Sequence, residues 1–416
     1  MKLVIPTKLV VFSKKELPFW ELILIAYLFC PYLLPSVSLG TTLVLGLLVL
    51  YCGYLALQNR YMLKFVSGVL LLITVLALAY ALLTDTATIS ENVSNRDLKR
   101  FVSKFYQYLT LYFPAILFVR VERAATEEQK KFFAALGIIL IVCVVITTWV
   151  FLLDDPNATR EWDSFEENSK QGVANYYFIY AVPIIISIAT IILVKSKGIV
   201  KIVSLACIIF GILFLVSAQY TLSILIAIFG VLIQIFRNLR SGISKIIFIF
   251  LMIILALFLP EIIEFAVLNI RSEQVSTRLS EIHAFLTGSG AGGYNLSGRL
   301  TLYGNTIKAF VQSPIWGNRS LGFDGHATFL TVLSDTGLLG GIPFYVLLAT
   351  AYGNVEKWIG SKQKQFNVIV LMFIMMGLTN PVHASLPLGL VTWFLAPLII
   401  QMILKENTEN ETAVET

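Results

Sequence analysis

The sequence predicts an all-α, polytopic integral membrane protein with about twelve transmembrane helices and a large extracytoplasmic loop between the ninth and the tenth. Composition is the first observation: 57% of the 416 residues are hydrophobic and only 13% are charged, whereas soluble domains carry roughly a quarter charged residues. The second is length, because apolar runs of about 20 residues, enough for a helix to cross a hydrocarbon core of ~30 Å, recur along nearly the whole chain. Strand alternation typical of a lipid-facing barrel is absent, so the spans are predicted to be helices.

The lysine and arginine residues predict one orientation for these spans. With the amino terminus in the cytoplasm, every cytoplasmic turn contains a basic residue, and three turns on the other side, near Pro35, near Ala218 and from Asn380 to Ser385, contain none. Cytoplasmic loops of membrane proteins are enriched in lysine and arginine, so both termini are predicted to be cytoplasmic. The predicted spans are approximately 17–35, 38–57, 62–83, 102–120, 132–153, 173–194, 199–217, 220–236, 246–268, 326–352, 366–380 and 384–404.

These spans divide the chain into four parts. Residues 1–268 hold the first nine transmembrane helices, 269–325 form the extracytoplasmic loop, and 326–404 hold the last three helices. The polar, acidic residues 405–416 are predicted to be a disordered cytoplasmic tail.

Composition also excludes several kinds of site. The net charge of +6 is explained by the topology and does not indicate a nucleic-acid partner. The four cysteines lie far apart inside apolar spans, so neither a disulfide nor a zinc site is predicted. The chain contains no nucleotide-binding motif and no carboxylate cluster with metal-ligand spacing, so we expect no cofactor and no metal.

The first half of the loop is predicted to be a surface helix followed by a glycine-rich break. Val275, Leu279, Ile282 and Leu286 repeat at helical spacing, which is typical of a helix lying at the membrane surface. The run GSGAGG at 288–293 then ends the helix. It is either a flexible joint or an anion site, and the absence of a following P-loop lysine favours the joint.

The second half of the loop is predicted to be a helix that begins at the capping residue Ser297 and ends before Pro314. Arg299, Tyr303 and Thr306 share one of its faces. The guanidinium of Arg299 can bind phosphate oxygens in bidentate fashion. The alternative is an arginine that pairs with a lipid headgroup or a carboxylate.

All three histidines, His283, His326 and His383, fall on or near the extracytoplasmic face in this topology. Proton transfer near neutral pH would therefore be located on that face. His326 lies where the loop enters the tenth span, and it either meets a lipid phosphate and an aqueous sugar together or anchors the helix end. Asp335, about two and a half turns deeper, is costly in lipid and is predicted to face the bundle interior, as a structural acceptor or a functional group.

The segment SGRLTLYGNTIKAFVQSPIWG, followed by GHATFLTVLSDTGLLGG, resembles the lipid-linked oligosaccharide polymerase and O-antigen ligase superfamily of bacterial envelopes. Members carry an arginine a few residues before an aromatic residue, then a proline and glycine turn, then a histidine that opens a helix ending in a glycine pair. The motif covers residues 297–341, and the topology extends the resemblance over the whole chain. The matching positions are Arg299, Tyr303, Pro314, Gly317, His326, Gly337 and Gly340.

One position departs from the family pattern. Many members have an arginine beside a serine at the outer end of the seventh helix, where residues 217–220 of this chain read SAQY. Either Gln219 fills the position as a neutral hydrogen-bond donor, or Arg278 or Arg319 supplies the missing charge.

The resemblance implies an architecture like that of the GT-C glycosyltransferases in the bacterial inner membrane. It also implies an inverting, metal-independent sugar transfer on the outer leaflet, from a polyprenyl-pyrophosphate donor to an acceptor hydroxyl. Arg299 would stabilise the departing pyrophosphate, and His326 would act as base or positioning group, or bind pyrophosphate as imidazolium. The residues expected to bind substrate are Tyr303, Arg278, Arg319, Gln219, Asp324 and His383.

Three functions remain as alternatives. We favour a polymerase over a ligase that transfers glycan to lipid A core, because the ligase arginine is missing and the loops lack a dense basic surface. A transporter or lipid-linked sugar flippase is the rival class, although no half-chain repeat occurs and intramembrane charge is sparse. The expected partners are a polyprenyl-pyrophosphate-linked oligosaccharide and membrane lipid, with a chain-length regulator and a flippase as further candidates.

Overall fold

The computed structural model of the protein describes most of the chain. The described residues are 16–34, 41–83, 95–155, 158–159, 165–239, 241–269, 276–277, 279–280, 283–284, 287–288, 294–317, 327–360, 363–382 and 385–403. For 41–45, 76–83, 95–107, 110, 165–166, 266, 294–300 and 363 the description covers the backbone.

The described residues form helices joined by turns, and no strand occurs among them, as the predicted all-α class requires. Every predicted span coincides with one described helix or with two consecutive ones. The helices are α1 (Phe19–Leu33), α2 (Thr41–Gln58), α3 (Arg60–Leu83), α4 (Asn95–Ala124), α5 (Glu127–Asp154), α6 (Phe165–Lys170), α7 (Tyr176–Ile179), α8 (Val182–Lys195), α9 (Gly198–Ser217), α10 (Thr221–Asn238), α11 (Gly242–Leu257), α12 (Leu259–Asn269), α13 (Tyr294–Gln312), α14 (Thr328–Ile359), α15 (Gln363–Thr379) and α16 (Leu386–Leu390), which continues through a π-helical turn (Val391–Leu395).

Several helices are long and apolar enough to cross a membrane. Within the described part of the chain there are six: α5, α9, α10, α14, the α7 and α8 pair (Tyr176–Lys195) and the α16 segment (Leu386–Ile403). The pair α11 and α12, bent by 52°, counts as a seventh if it is one span, and α1 is apolar but shorter. These helices confirm the prediction of a membrane-embedded helical protein in its general form.

A buried ion pair joins three helices at one end of the bundle. We name this end the basic end, because four helices end there with a basic residue in the last turn. These helices are α4, α8, α10 and α14, and the residues are Arg123, Lys195, Arg237 and Lys357. Glu21 of α1 is fully buried and accepts two hydrogen bonds from Arg120 of α4, at 2.6 and 2.8 Å. The hydroxyl of Tyr51 in α2 donates a third, at 2.5 Å. Because both carboxylate oxygens are bonded, the charge is compensated although it lies away from water.

The turn between α4 and α5 lies at the same end and is held by a capping box. The side chain of Thr126 accepts from the backbone N–H of Gln129, and the side chain of Gln129 accepts from the backbone N–H of Thr126. The Gln129 side chain also bonds both backbone groups of Leu17, just ahead of α1. The start of α1 is thereby fixed against the start of α5.

Two spans lie at the centre of the bundle. In their most apolar stretches, 72% of the residues of Tyr176–Lys195 and 78% of those of Leu386–Ile403 are buried, more than in the other four candidate spans. Trp393 of the second span packs on rings of α4 and α15. Gly389 allows close approach to α4, because a Cβ there would overlap the carbonyl oxygen of Leu111.

Candidate functional site

The end of the bundle opposite the basic end carries Gln219 and the contact of Tyr303 with Thr379. We name it the loop end, defined by Asn175, the turn 218–220 and residues 380–382 and 385. The side chains of Tyr303 and Gln219 are described, and Arg299 is described by its backbone within α13. The other predicted site residues, His326, Arg278, Arg319, Asp324 and His383, lie outside the described residues.

Tyr303 connects the loop helix to the membrane bundle. Its hydroxyl donates to the carbonyl oxygen of Thr379, at the last residue of α15, over 3.4 Å. Thr306, one turn further along α13, is buried. Arg299 precedes Tyr303 by four residues, so by helical spacing it occupies the same face of α13.

The start of α14 is hydrogen-bonded to the turn that follows α15. The carbonyl oxygen of Asn380 accepts from both the backbone N–H and the hydroxyl of Thr328, at 3.3 and 3.2 Å. The hydroxyl oxygen of Thr328 in turn accepts from the N–H of Val382, at 2.8 Å. In the sequence Thr328 follows His326 by two residues and Val382 precedes His383, so two of the predicted residues flank this contact along the chain.

Helix α14 is folded back on itself at Gly337, which has a φ of 59° and a ψ of −156°. The hydroxyl of Tyr345 donates to the carbonyl oxygen of Phe329 over 3.2 Å, and the ring of Phe329 lies 5.4 Å from that of Phe344. Residues 15 apart in a straight helix would be separated by roughly 22 Å. The segment 328–336 therefore runs antiparallel to the start of the segment 338–359, as a helical hairpin.

The turn after α13 caps the second arm of this hairpin. The N–H groups of Leu338 and Leu339 donate to the carbonyl oxygens of Pro314 and Ile315, at 2.8 and 3.2 Å. A Cβ at Gly317 would overlap the backbone of Asp335. Pro314, Gly317 and Gly337 of the sequence motif thus meet in one backbone junction. This junction attaches the end of the loop helix to α14.

Asp335 is buried beside this junction, and its carboxylate lies 3.4 Å from the hydroxyl of Ser334. The prediction that it faces the protein interior agrees with this position, but the predicted depth within the span does not. The arm 338–359 alone is about 33 Å long, enough for the hydrocarbon core. Because the first arm folds back, Asp335 lies next to the start of the arm 338–359 rather than two and a half turns into one continuous helix.

Gln219 ends α9 in a Schellman motif. Its N–H donates to Val216, and the N–H of Tyr220 donates to Leu215, at 3.0 and 3.3 Å. Gln219 has a φ of 59° and is the one non-glycine residue with positive φ in the described ranges. Glycine is the usual residue here, because a side chain in this conformation costs about 1 kcal/mol. A strained backbone that carries a buried polar side chain is characteristic of functional sites,.

A group of tyrosines at the loop end was not predicted from the sequence. Ser385, which is buried at the start of α16, donates its hydroxyl to the carbonyl oxygen of Tyr177 over 2.6 Å. The rings of Tyr176 and Tyr177 lie 4.1 Å apart, and those of Tyr180 and Tyr220 lie 6.1 Å apart. Tyr220 is distant from the others in the sequence, so no spacing pattern could have indicated the group.

The described residues contain no group of three or more histidine, cysteine, aspartate or glutamate side chains placed to hold a metal ion. Comparison with protein-family models finds no match to this chain, and comparison with curated proteins finds none either.

Proposed function

We propose that the chain is a polysaccharide polymerase of the O-antigen or capsule type, a metal-independent inverting glycosyltransferase of the bacterial inner membrane. Under this proposal twelve helices cross the membrane in a GT-C-like arrangement, both termini are cytoplasmic, and the loop end faces outward. The donor is a polyprenyl-pyrophosphate-linked glycan, and the acceptor is a second lipid-linked glycan.

One observation carries the proposal: direct hydrogen bonds at the loop end join three elements. These are the loop helix with Arg299 and Tyr303, the start of α14, which follows His326, and the turn after α15, which precedes His383. Tyr303 bonds Thr379, and Thr328 bonds the adjacent Asn380 and Val382. Residues from the loop, from the start of α14 and from the turn after α15 are thereby brought to one place, although they are far apart in the sequence. This convergence supports a shared site for Arg299, His326 and His383.

The exposed side of the loop helix supports a lipid-linked substrate. On α13 and the turn after it, Ile307, Val311, Ile315 and Trp316 are each more than half exposed. Thr306 and Ala309, on the other side of the helix, are buried. An exposed apolar stripe beside a polar site suits a substrate whose isoprenoid chain stays in the bilayer while its sugar is in water.

The chemistry requires three things of the site. The bond between the anomeric carbon and the pyrophosphate oxygen breaks, a bond forms from that carbon to the acceptor hydroxyl oxygen, and the hydroxyl proton must leave. Arg299 stabilises the negative charge that develops on the leaving polyprenyl pyrophosphate. His326 accepts the proton or, in the alternative role, binds pyrophosphate as imidazolium.

The positions of buried charge favour an enzyme over a transporter. Within the described ranges the buried charged residues are Glu21, Glu122, Lys130 and Asp335. The first three lie at the basic end, and Asp335 lies beside the hairpin turn of α14. A transport path would be expected to place ionisable groups near the bilayer midplane.

The proposal is tested by incubating the purified protein in lipid nanodiscs with synthetic lipid-linked repeat units and separating the products by chain length. We expect a ladder of glycans, and no ladder from a His326→Ala variant purified at the same yield. Product formed only when lipid A core is added would instead identify a ligase. A wild-type protein that forms no product with either acceptor, or a ladder of normal length from His326→Ala, would contradict the assignment.

A further inference from the structure

The tyrosine group lies at the centre of the loop end rather than on its lipid-facing rim. Tyr176 begins the span Tyr176–Lys195, and Ser385 caps the span Leu386–Ile403, the two most buried candidate spans. The 2.6 Å hydrogen bond from Ser385 to the carbonyl oxygen of Tyr177 holds their ends together. Tyrosines of an interfacial aromatic belt face lipid from the outside of a bundle. Tyr176, Tyr177 and Tyr180 belong instead to one of the two most buried spans, and Tyr220 is the residue just before α10.

The four rings, named here the tyrosine cluster (Tyr176, Tyr177, Tyr180 and Tyr220), form a row of contacts from Tyr177 through Tyr176 and Tyr180 to Tyr220. Tyr180 is buried, and it meets Tyr176 and Tyr220 edge-to-face at 6.0 and 6.1 Å. Tyr176, Tyr177 and Tyr220 are only half-buried. These three side chains are thus partly exposed, and they come from two elements, α7 and the residue before α10.

The cluster also adjoins the proposed transfer site. Ser385 donates its backbone N–H to the carbonyl oxygen of Val382 over 3.0 Å. Val382 itself bonds Thr328 at the start of α14. Three hydrogen bonds, through Ser385 and Val382, therefore connect Tyr177 to the start of α14. The loop helix α13 contacts the neighbouring residue Thr379 through Tyr303.

From this arrangement we infer that the tyrosine cluster binds a neutral sugar residue of the acceptor glycan, an inference that rests on the proposed function for the identity of its ligand. A sugar ring has an apolar C–H face and a rim of hydroxyl groups. A tyrosine offers an apolar ring face and a hydroxyl that can donate and accept. The hydroxyl of Tyr220 already donates to the carbonyl oxygen of Thr159 over 3.3 Å, so toward a sugar it can only accept. Half-buried rings lose little side-chain entropy when they bind, because they are already held by one another.

The position of the tyrosine cluster suggests that the donor and the acceptor bind on different sides of the transfer site. On the side of α13, Arg299 and the exposed apolar stripe suit the anionic, lipid-linked donor. On the side of α7 and α10, uncharged aromatic rings suit the sugar that carries the attacking hydroxyl. Thr379, which Tyr303 contacts, and Ser385, which bonds Tyr177, lie between the two sides.

Binding is measured apart from catalysis, by saturation-transfer difference NMR on the nanodisc-embedded protein. The probe is the repeat-unit oligosaccharide released by mild acid from the lipid-linked intermediates of the source cells, so it has neither lipid nor pyrophosphate. We expect Tyr176→Ala and Tyr220→Ala each to raise its Kd about tenfold, and Tyr176→Phe, which keeps the ring face, to leave it nearly unchanged. Tyr27→Ala is the matched control, because Tyr27 is an exposed tyrosine of α1 outside the cluster.

Nitration of the unmodified wild-type protein by tetranitromethane provides a test that does not depend on how the variants fold. The oligosaccharide should protect Tyr176 and Tyr177 and leave Tyr27 unprotected, as read by mass spectrometry. Absence of binding or of protection, unchanged affinity in both alanine variants, or equal losses in Tyr176→Phe and Tyr176→Ala would overturn the inference.

The chain-length assay on the same preparations separates the two proposals. If the protein forms a ladder but does not bind the oligosaccharide, the sugar-subsite inference is wrong and the polymerase proposal stands. If the wild type binds the oligosaccharide but forms no ladder, and Tyr176→Ala loses the binding, the subsite inference stands and the polymerase proposal is wrong.

Discussion

Gly317 and Gly337 meet backbone to backbone, and both have a positive φ. A Cβ at Gly337 would overlap the carbonyl oxygen of Ile315. Gly353, in the same helix, has open space around it and no positive φ. Gly337 and Gly353 of α14 thus differ: the backbone geometry requires glycine at 337 and does not require it at 353.

We therefore expect Gly337→Ala to lower the free energy of unfolding by about 2 kcal/mol or more, from left-handed backbone strain and overlap. Gly353→Ala should be neutral or stabilise by up to about 1 kcal/mol, because alanine is the better helix former. Chemical denaturation of both variants in the same detergent measures the difference. Equal stability of the two variants would show that the junction is not held as described.

The role of the Arg299 guanidinium can be tested by a single substitution. Arg299→Lys keeps the charge but removes the planar, bidentate fork, so transfer should fall at least about tenfold if the fork binds pyrophosphate. The measurement is the initial rate of chain extension at saturating donor. Near-normal activity of the lysine variant would mean that only the positive charge of residue 299 matters and that the bidentate geometry does not. Lys308→Arg, at an exposed position of the same helix, is the control.

Among the elements, α1, α2 and α4 are joined at the basic end by Glu21, Tyr51 and Arg120. Removing one member of a buried ion pair leaves the other charge without its partner, and this typically costs about 3–5 kcal/mol. We expect Arg120→Gln to destabilise the protein by that amount, and the double variant Glu21→Gln with Arg120→Gln to lose less than the sum of the two single variants.

A double-mutant cycle from denaturation curves measures this coupling. Arg60→Gln, an exposed arginine at the start of α3, should change stability by less than about 0.5 kcal/mol. Additive losses at Glu21 and Arg120 would mean that the pair is not formed in the membrane.

At the scale of the whole molecule, the loop end and the basic end are distinct, and the positive-inside rule predicts that the basic end is cytoplasmic. In a variant without Cys30, Cys52, Cys143 and Cys207, a cysteine introduced by Ser289→Cys should react with a membrane-impermeant maleimide added to spheroplasts. One introduced by Ser361→Cys should not. The readout is the mass shift of the labelled protein.

Labelling of the Ser361→Cys variant alone would invert the topology. Arg299 and His326 would then face the cytoplasm, and the outer-leaflet reaction would give way to a cytoplasmic activity or a transporter. Labelling of both variants after lysis serves as the control for chemical reactivity.

The sequence alone predicted where the helices lie, since each predicted span overlaps a described helix or helix pair, although the tenth span is folded back at Gly337. Apolar runs specify this directly, because the bilayer leaves backbone polar groups no partner except those within a helix. The loop helix was also predicted, although it begins at Tyr294 rather than at Ser297. Its end before Pro314 agrees with the prediction, because proline cannot continue the hydrogen bonding of a helix.

Only the tertiary structure shows that α14 is folded into a hairpin and which side chains lie around the proposed site. A glycine in an apolar run does not reveal whether the helix continues through it, so the hairpin at Gly337 and the shallow position of Asp335 could not be read from spacing. The tyrosine cluster combines Tyr176, Tyr177 and Tyr180 with the distant Tyr220, and the junction combines Gly317 with Gly337. Periodicity reports neighbours within one helix, whereas these sites depend on which helices pack together, and in a membrane that is decided by side-chain packing and interhelical hydrogen bonds.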